Sequence, residues 1–178
     1  MTGPARRHVV LVGLPGAGKT TIGKLVAAAL GAPFVDLDDA VERRSGKAIS
    51  QVFAQDGEGG FRTLERAEME AALLTPSCVI AAGGGWAAQP GNLEAVSGRA
   101  LTVYLSVAPE VASRRARPNA GSRPLLAGGD LATRLGQLLW ARRSFYERCD
   151  VTVPADRDDP AAVAREVCNL ARSLAGWY

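Results

Sequence analysis

Residues 13–20 read Gly13-Leu14-Pro15-Gly16-Ala17-Gly18-Lys19-Thr20, a G-x-x-x-x-G-K-T motif, and the apolar run His8-Val9-Val10-Leu11-Val12 leads straight into it. The run is β-branched and too short to cross a membrane, while residues 21–30 carry apolar side chains at helical spacing and stop at Gly31. A strand feeds the loop and a helix leaves it, the context that a phosphate-binding loop requires. An ordinary strand-turn-helix joint needs none of these residues at these offsets. Glycines let successive backbone N–H groups point into one concavity, the helix presents its positive end, and Lys19 adds a mobile charge aimed at terminal phosphates. Gly16, Ala17, Gly18, Lys19, Thr20 and Thr21 are the candidate nucleotide-binding set, for ATP or GTP, and the Thr20 hydroxyl is a candidate ligand for Mg²⁺.

Short apolar runs recur at residues 9–12, 33–35, 79–82, 101–105 and 151–153, separated by segments of helical periodicity. Alternating β and α elements predict a single α/β domain, a three-layer sandwich with a five-stranded parallel sheet between helices. At 178 residues, the chain can bury roughly 70% of its unfolded surface in one core. Residues 40–74 form a long helical stretch, broken near Gly46 and again at Asp56-Gly57-Glu58-Gly59-Gly60, which is too much chain for a simple crossover. Residues 117–124 are rich in Pro, Gly and Arg, and an amphipathic helix follows over residues 131–149. The expected division is a core of residues 8–36, 78–110 and 131–178, a helical insertion at 37–75 that grips a second substrate, and a mobile lid at 116–130.

Composition narrows the classes. No apolar stretch approaches the ~20 residues of a membrane span, and the short polar N-terminus has no signal-peptide pattern. Cys78, Cys149 and Cys168 are widely spaced and form no C-x-x-C pair, which argues against a zinc site or a disulfide framework and for a reducing cytoplasm. The net charge of +3 comes from arginines dispersed among acids, so no nucleic acid partner is expected. With no amphipathic surface left over, a monomer is expected.

Candidate chemistry clusters beyond the strand ends. Phe34-Val35-Asp36-Leu37-Asp38-Asp39 closes the second strand with acids, and in an open parallel sheet these face the same crevice as the phosphate loop. Asp38 is either the N-cap of the next helix or a carboxylate that orients a hydroxyl. Arg62 and Glu65 stand one helical turn apart after the glycine-rich break, as a surface pair or as a buttressed ligand-binding arginine. Gly83-Gly84-Gly85 follows the third strand, where a turn needs one glycine and hardly three, so something approaches this backbone closely. Arg123 lies in the expected lid, and Arg142-Arg143 lies on the long helix. His8 abuts a strand start and reads as structural.

Together the phosphate loop, Asp36-Leu37-Asp38, Asp56-Gly57-Glu58 leading to Phe61-Arg62, the glycine triplet and Arg123-Pro124-Leu125-Leu126 resemble the shikimate kinases over residues 9–160. The resemblance implies transfer of the γ-phosphate of ATP to the 3-hydroxyl of shikimate, a step towards chorismate and the aromatic amino acids. It implies that Asp38 holds the attacking hydroxyl, with Lys19 and Arg123 as the other catalytic residues. Arg62, Gly84, Gly85 and Arg143 would bind shikimate, with Glu65 behind Arg62. Thr20 would bind Mg²⁺ with Asp36 near its water shell, and Arg115, Arg157 and Arg123 would hold ATP. Ala82 stands where a small hydroxyl residue is common, Trp86 where a small residue usually follows the triplet, and the lid carries an extra residue.

Two other readings keep the loop. One changes the acceptor to gluconate or a nucleoside monophosphate, although Asp38, Arg62 and Arg143 suit a hydroxylated acid better. The other is a nucleotide-binding regulator without catalysis, against which Asp38 and Arg123 both argue. A lid arginine opposes transition-state charge, an effect of ~10³–10⁵ in rate. Arg123→Ala should therefore bind both substrates yet lose at least ~10²-fold in kcat under steady-state assay.

Overall fold

Every strand of the sheet pairs in parallel, in the order β2-β3-β1-β4-β5. The computed structural model describes residues 5–117 and 129–178. In chain order the elements are β1 (His8–Val12), α1 (Lys19–Leu30), β2 (Phe34–Asp36), α2 (Leu37–Ser45), α3 (Ile49–Leu73), β3 (Val79–Ala81), α4 (Asn92–Val96), β4 (Ala100–Ser106), α5 (Pro109–Ala116), α6 (Leu131–Tyr146), β5 (Val151–Pro154) and α7 (Pro160–Ala175). The predicted α/β architecture is observed, with each strand within two residues of its apolar run. β1 is the central strand, buried at every position, and pairs with β3 through Val9–Leu11 and with β4 through His8–Val12. Strand order reverses across β1, so its carboxyl end opens into the crevice where such sheets bind ligands.

The helices differ in detail from the sequence pattern. α1 begins at Lys19 rather than at residue 21, which puts Lys19 and Thr20 in its first turn. The expected break near Gly46 is a helix end: Gly46 adopts the left-handed conformation (φ 68°) and its N–H donates to the Glu42 carbonyl. The expected break at 56–60 is observed, as a kink between two helical segments. Gly57 alone leaves helical geometry (φ 69°, ψ −177°) and α3 resumes beyond it. α6 ends at Tyr146, short of the expected Cys149. The N-cap of α2 is Asp36, whose Oδ1 accepts from the N–H groups of Asp38 (3.0 Å) and Asp39 (3.4 Å). Asp38 therefore sits inside the first turn, its carboxylate not engaged as the cap.

The main core packs β1, β3 and β4 between α1 and α7 on one face and residues including Leu135 and Tyr146 of α6. A second small cluster, Val41, Val52 and Phe61, joins α2 to α3, with Phe53 and Phe61 ring centroids 4.8 Å apart. The insertion thus carries an apolar core of its own. Among the described residues, no helix is long and apolar enough to cross a membrane.

His8 is structural, as expected. Its Nδ1 accepts the Cys78 N–H at 3.2 Å and lies 3.3 Å from Cys78 Sγ, in the core. Burial holds its pKa below 6.5, the Arg99 charge adds to this, and a bond to the Leu73 backbone opposes it. A depressed value means that the fold favours neutral imidazole, so this contribution is complete above pH 6.5 and is lost as pH falls through the folded value. The thermal midpoint should drop more steeply below about pH 6.5 in the wild type than in His8→Asn, which cannot take up the proton. Parallel profiles in the two proteins would contradict this.

Candidate active site

The phosphate loop is held by close backbone packing. Gly16 has φ 84°, and a Cβ there would stand 2.2 Å from the Ala112 carbonyl oxygen of α5, a contact no side chain can make. Gly18 (φ 91°) is the N-cap of α1. Lys19 Nζ donates to the carbonyls of Gly13 and Leu14, both at 2.9 Å, and ties the loop across its neck. Thr20 Oγ1 donates to Asp36 Oδ2 at 2.6 Å, while Oδ1 of the same carboxylate caps α2. A hydroxyl and a carboxylate oxygen side by side at this loop are hard donors that suit Mg²⁺, which takes one or two protein oxygens and completes its octahedron with water and phosphate. Among the described residues, no cluster of three His, Cys, Asp or Glu forms an all-protein cage for a metal.

A cavity of about 490 Å³ extends from this loop. At one end it reaches Arg115 and Arg157. Arg115 donates through Nη1 to the Ala155 carbonyl (2.7 Å) and through Nη2 to the Arg157 carbonyl (3.0 Å), pinning the segment after β5 against α5. Asp156 pins it a second time by accepting the Ala108 N–H at 2.7 Å.

The other end reaches Asp36, Asp38, Gly83 and Gly84. Behind it, Arg62 and Glu65 are almost wholly buried and paired, Nη1 to Oε2 at 2.8 Å, and Arg62 Nη2 also meets Glu58 at 3.2 Å. Burial pushes the Glu65 carboxyl up, the Asp38 charge adds to the rise, and the guanidiniums of Arg62 and Arg142 oppose it. Each glycine of the triplet makes room for a different neighbour. A Cβ on Gly83 would lie 2.2 Å from Glu65 Oε1 and 3.2 Å from Asp38 Oδ1, and one on Gly84 would lie 2.9 Å from Pro15. One on Gly85 would lie 2.3 Å from Arg62 Nη2 and 3.0 Å from Arg142 Nη2. Glu65 and Asp38 at Gly83 and Arg62 and Arg142 at Gly85 therefore converge on the two ends of the triplet.

The arginine of α6 at this convergence is Arg142, a correction to the sequence expectation of Arg143. Arg143 is exposed, its Nε 2.6 Å from Glu147 Oε1, because successive residues on a helix point ~100° apart. The inward face was readable from Leu135, Arg142 and Tyr146, which recur at helical spacing and are all buried. Trp86 is 1% exposed and packs in the core, so it does not line the cavity. Arg123 lies outside the described residues. The flank that follows it carries Asp130, which caps α6 by accepting the Thr133 N–H at 3.0 Å.

The family model described as shikimate kinase matches residues 15–172. The chain is 43% identical over 159 residues to the shikimate kinase of Mycobacterium avium (strain 104), covering 89% of each protein. Among solved structures, the shikimate kinase from Acinetobacter baumannii in complex with shikimate superposes with a TM-score of 0.89 at 32% identity, covering 94% of both chains. A gluconokinase from Sinorhizobium meliloti 1021 superposes at 0.66 with 19% identity, covering 97% and 96%, a likeness of fold alone.

Removing one member of a buried ion pair leaves a charge without its partner, at a cost of ~3–5 kcal/mol. Glu65→Ala should lower unfolding stability by that order in urea titrations. Glu94→Ala, which breaks an exposed pair with Arg148, should leave stability unchanged within error.

Proposed function

Because the chain belongs to the shikimate kinase family, we infer that it binds ATP across its phosphate loop and transfers the γ-phosphate to the 3-hydroxyl of shikimate, releasing ADP and shikimate 3-phosphate. The observation that carries this is the convergence of two buried guanidiniums, Arg62 and Arg142, on Gly85, the residue next to the cavity-lining Gly83 and Gly84. Two like charges held that close call for an anion between them. The carboxylate of a small triol acid satisfies both, each charge-assisted bond contributing ~1.5–3 kcal/mol. Arg142 takes the role that the sequence reading gave to Arg143, beside Arg62, Gly84 and Gly85.

With its carboxylate anchored there, shikimate would direct a hydroxyl towards Asp38 and the phosphate loop. Asp38 orients that hydroxyl and accepts its proton as the new O–P bond forms and the bond from the γ-phosphorus to the bridging oxygen breaks, its electron pair leaving with ADP. A loose phosphoryl-transfer transition state asks mainly for alignment and charge neutralisation, so Asp38 needs no elevated pKa. Lys19 exchanges the carbonyls of Gly13 and Leu14 for phosphate oxygens, with the amides of Gly16, Ala17, Gly18, Thr20 and Thr21 around them. Thr20 and Asp36 would hold Mg²⁺, which neutralises phosphate charge when bound. Arg115 and Arg157 flank adenine, and Arg123 adds charge from the lid at 116–130. The insertion at 37–75 supplies Asp38, Arg62 and Glu65, and the core of 8–36, 78–110 and 131–178 supplies the rest.

Apart from the lid, every residue in this scheme comes from the described part of one chain, which supports a monomer. The three cysteines are unpaired, which supports the cytoplasm. No element of the site calls for nucleic acid or a membrane.

Coupled ADP release with Mg·ATP tests the reading, with shikimate set against quinate, gluconate and nucleoside monophosphates at equal concentration. Turnover should be strong with shikimate, and activity only on another acceptor would overturn the assignment. Arg142→Ala should raise the shikimate KM at least ~10-fold with little change for ATP. Arg143→Ala should leave both nearly unchanged, and the reverse pattern would restore Arg143.

A further inference from the structure

Tyr146 closes α6 one turn after Arg142, with its side chain fully buried. Its ring stacks on Tyr104 of β4, centroids 4.9 Å apart and planes 23° from parallel. Its hydroxyl donates to the carbonyl oxygen of Gly84, and the Arg142 guanidinium faces the same hydroxyl. Packing alone does not ask for that oxygen, since phenylalanine would fill the space and stack equally well. Burial pushes the Tyr146 phenol up to about 12, so the hydroxyl keeps its proton and remains a donor at any working pH.

What the hydroxyl controls is a peptide plane. Among the described residues there is no cis peptide bond, and a trans peptide points its C=O and N–H in opposite directions. Drawing the Gly84 carbonyl towards α6 turns the Gly85 N–H away from Tyr146. Among the described residues, the N–H groups of Gly84 and Gly85 meet no acceptor, and Gly85 stands beside the guanidiniums of Arg62 and Arg142. A run of glycines has little intrinsic preference for one orientation of this plane. An outside contact must set it.

We propose that Tyr146 is a positioning residue for the acceptor: its hydroxyl locks the Gly84–Gly85 peptide so that the Gly85 N–H is presented to the shikimate carboxylate beside Arg142. The proposal rests on the shikimate reading of the site. Tyr146 touches backbone and not the reacting atoms, so its loss acts on acceptor binding through the glycine turn.

The test compares full-length wild type, Tyr146→Phe and Tyr104→Leu in ADP-release kinetics with shikimate and ATP varied separately, alongside thermal midpoints. Tyr146→Phe should raise the shikimate KM about tenfold, the loss of one well-made bond to a charged group, with the ATP KM unchanged. Tyr104→Leu removes the stacking partner but keeps the hydroxyl, so it should lower the thermal midpoint and leave the shikimate KM alone. An unchanged shikimate KM in Tyr146→Phe, or an equal rise for both substrates, overturns the proposal. A second readout needs no variant: in ¹⁵N-labelled wild type the Gly85 amide proton should move downfield on adding shikimate, and a stationary resonance overturns the proposal too. Wild-type silence with shikimate would instead remove the functional reading itself, so the two failures are distinguishable.

Discussion

β1 is buried at every position and paired along both edges, so its carboxyl end has one place to open, the crevice between β3 and β4. Everything chemical in the chain is hung around that opening. The loop after β1 curls back under α5, close enough that the Ala112 carbonyl occupies the space a side chain on Gly16 would need. The turn after β3 lies alongside, pressed against Pro15 of the loop through Gly84. Two neighbouring strands thus bring the phosphate loop and the glycine turn into contact, and the separation of the two backbones is set by sheet spacing rather than by flexible side chains.

Charge is distributed unevenly about this opening. Arg62 is matched by buried Glu65, so the pair can sit in the interior without leaving a bare cation. Arg142 has no carboxylate of comparable closeness among the described residues, and its nearest polar company is the Tyr146 hydroxyl and the glycine turn. Beside the glycine turn, Arg62 is therefore a neutralised cation, whereas Arg142 brings its charge up to the same backbone without a close carboxylate among the described residues.

How much of this was legible in the sequence depended on the range of the signal. β1, β3 and β4 were visible because parallel strands buried on both faces read as unbroken apolar runs bounded by turns, and the part-buried edge strands β2 and β5 showed as shorter runs of the same kind. The phosphate loop was visible because its chemistry is contiguous. The break at Gly57 was legible because several glycines close together interrupt a helical pattern, while the cluster of Val41, Val52 and Phe61 spans its two sides. Arg142 and Arg143 are adjacent, and motif matching alone does not separate neighbours. The rotation of α6, fixed by Leu135 and Tyr146 against the core, does. Trp86 stands where a small residue is usual, a position that sequence alone leaves open between pocket and core, and the turn after β3 puts it in the interior. That direction is a property of tertiary packing with no local trace.

Asp36 shows what such economy means for sequence drift. One oxygen caps the start of α2 and the other accepts from Thr20, so a single side chain joins the helical insertion to the phosphate loop. Serine or asparagine would cap the helix as well, but neither offers a second anionic oxygen, and glutamate would move both oxygens by a methylene. The position answers to two independent filters at once, and its tolerance is the overlap of two short lists of permitted residues. Mutational scanning of this chain would therefore find fewer substitutes at Asp36 than at residues more deeply buried, where volume alone is selected.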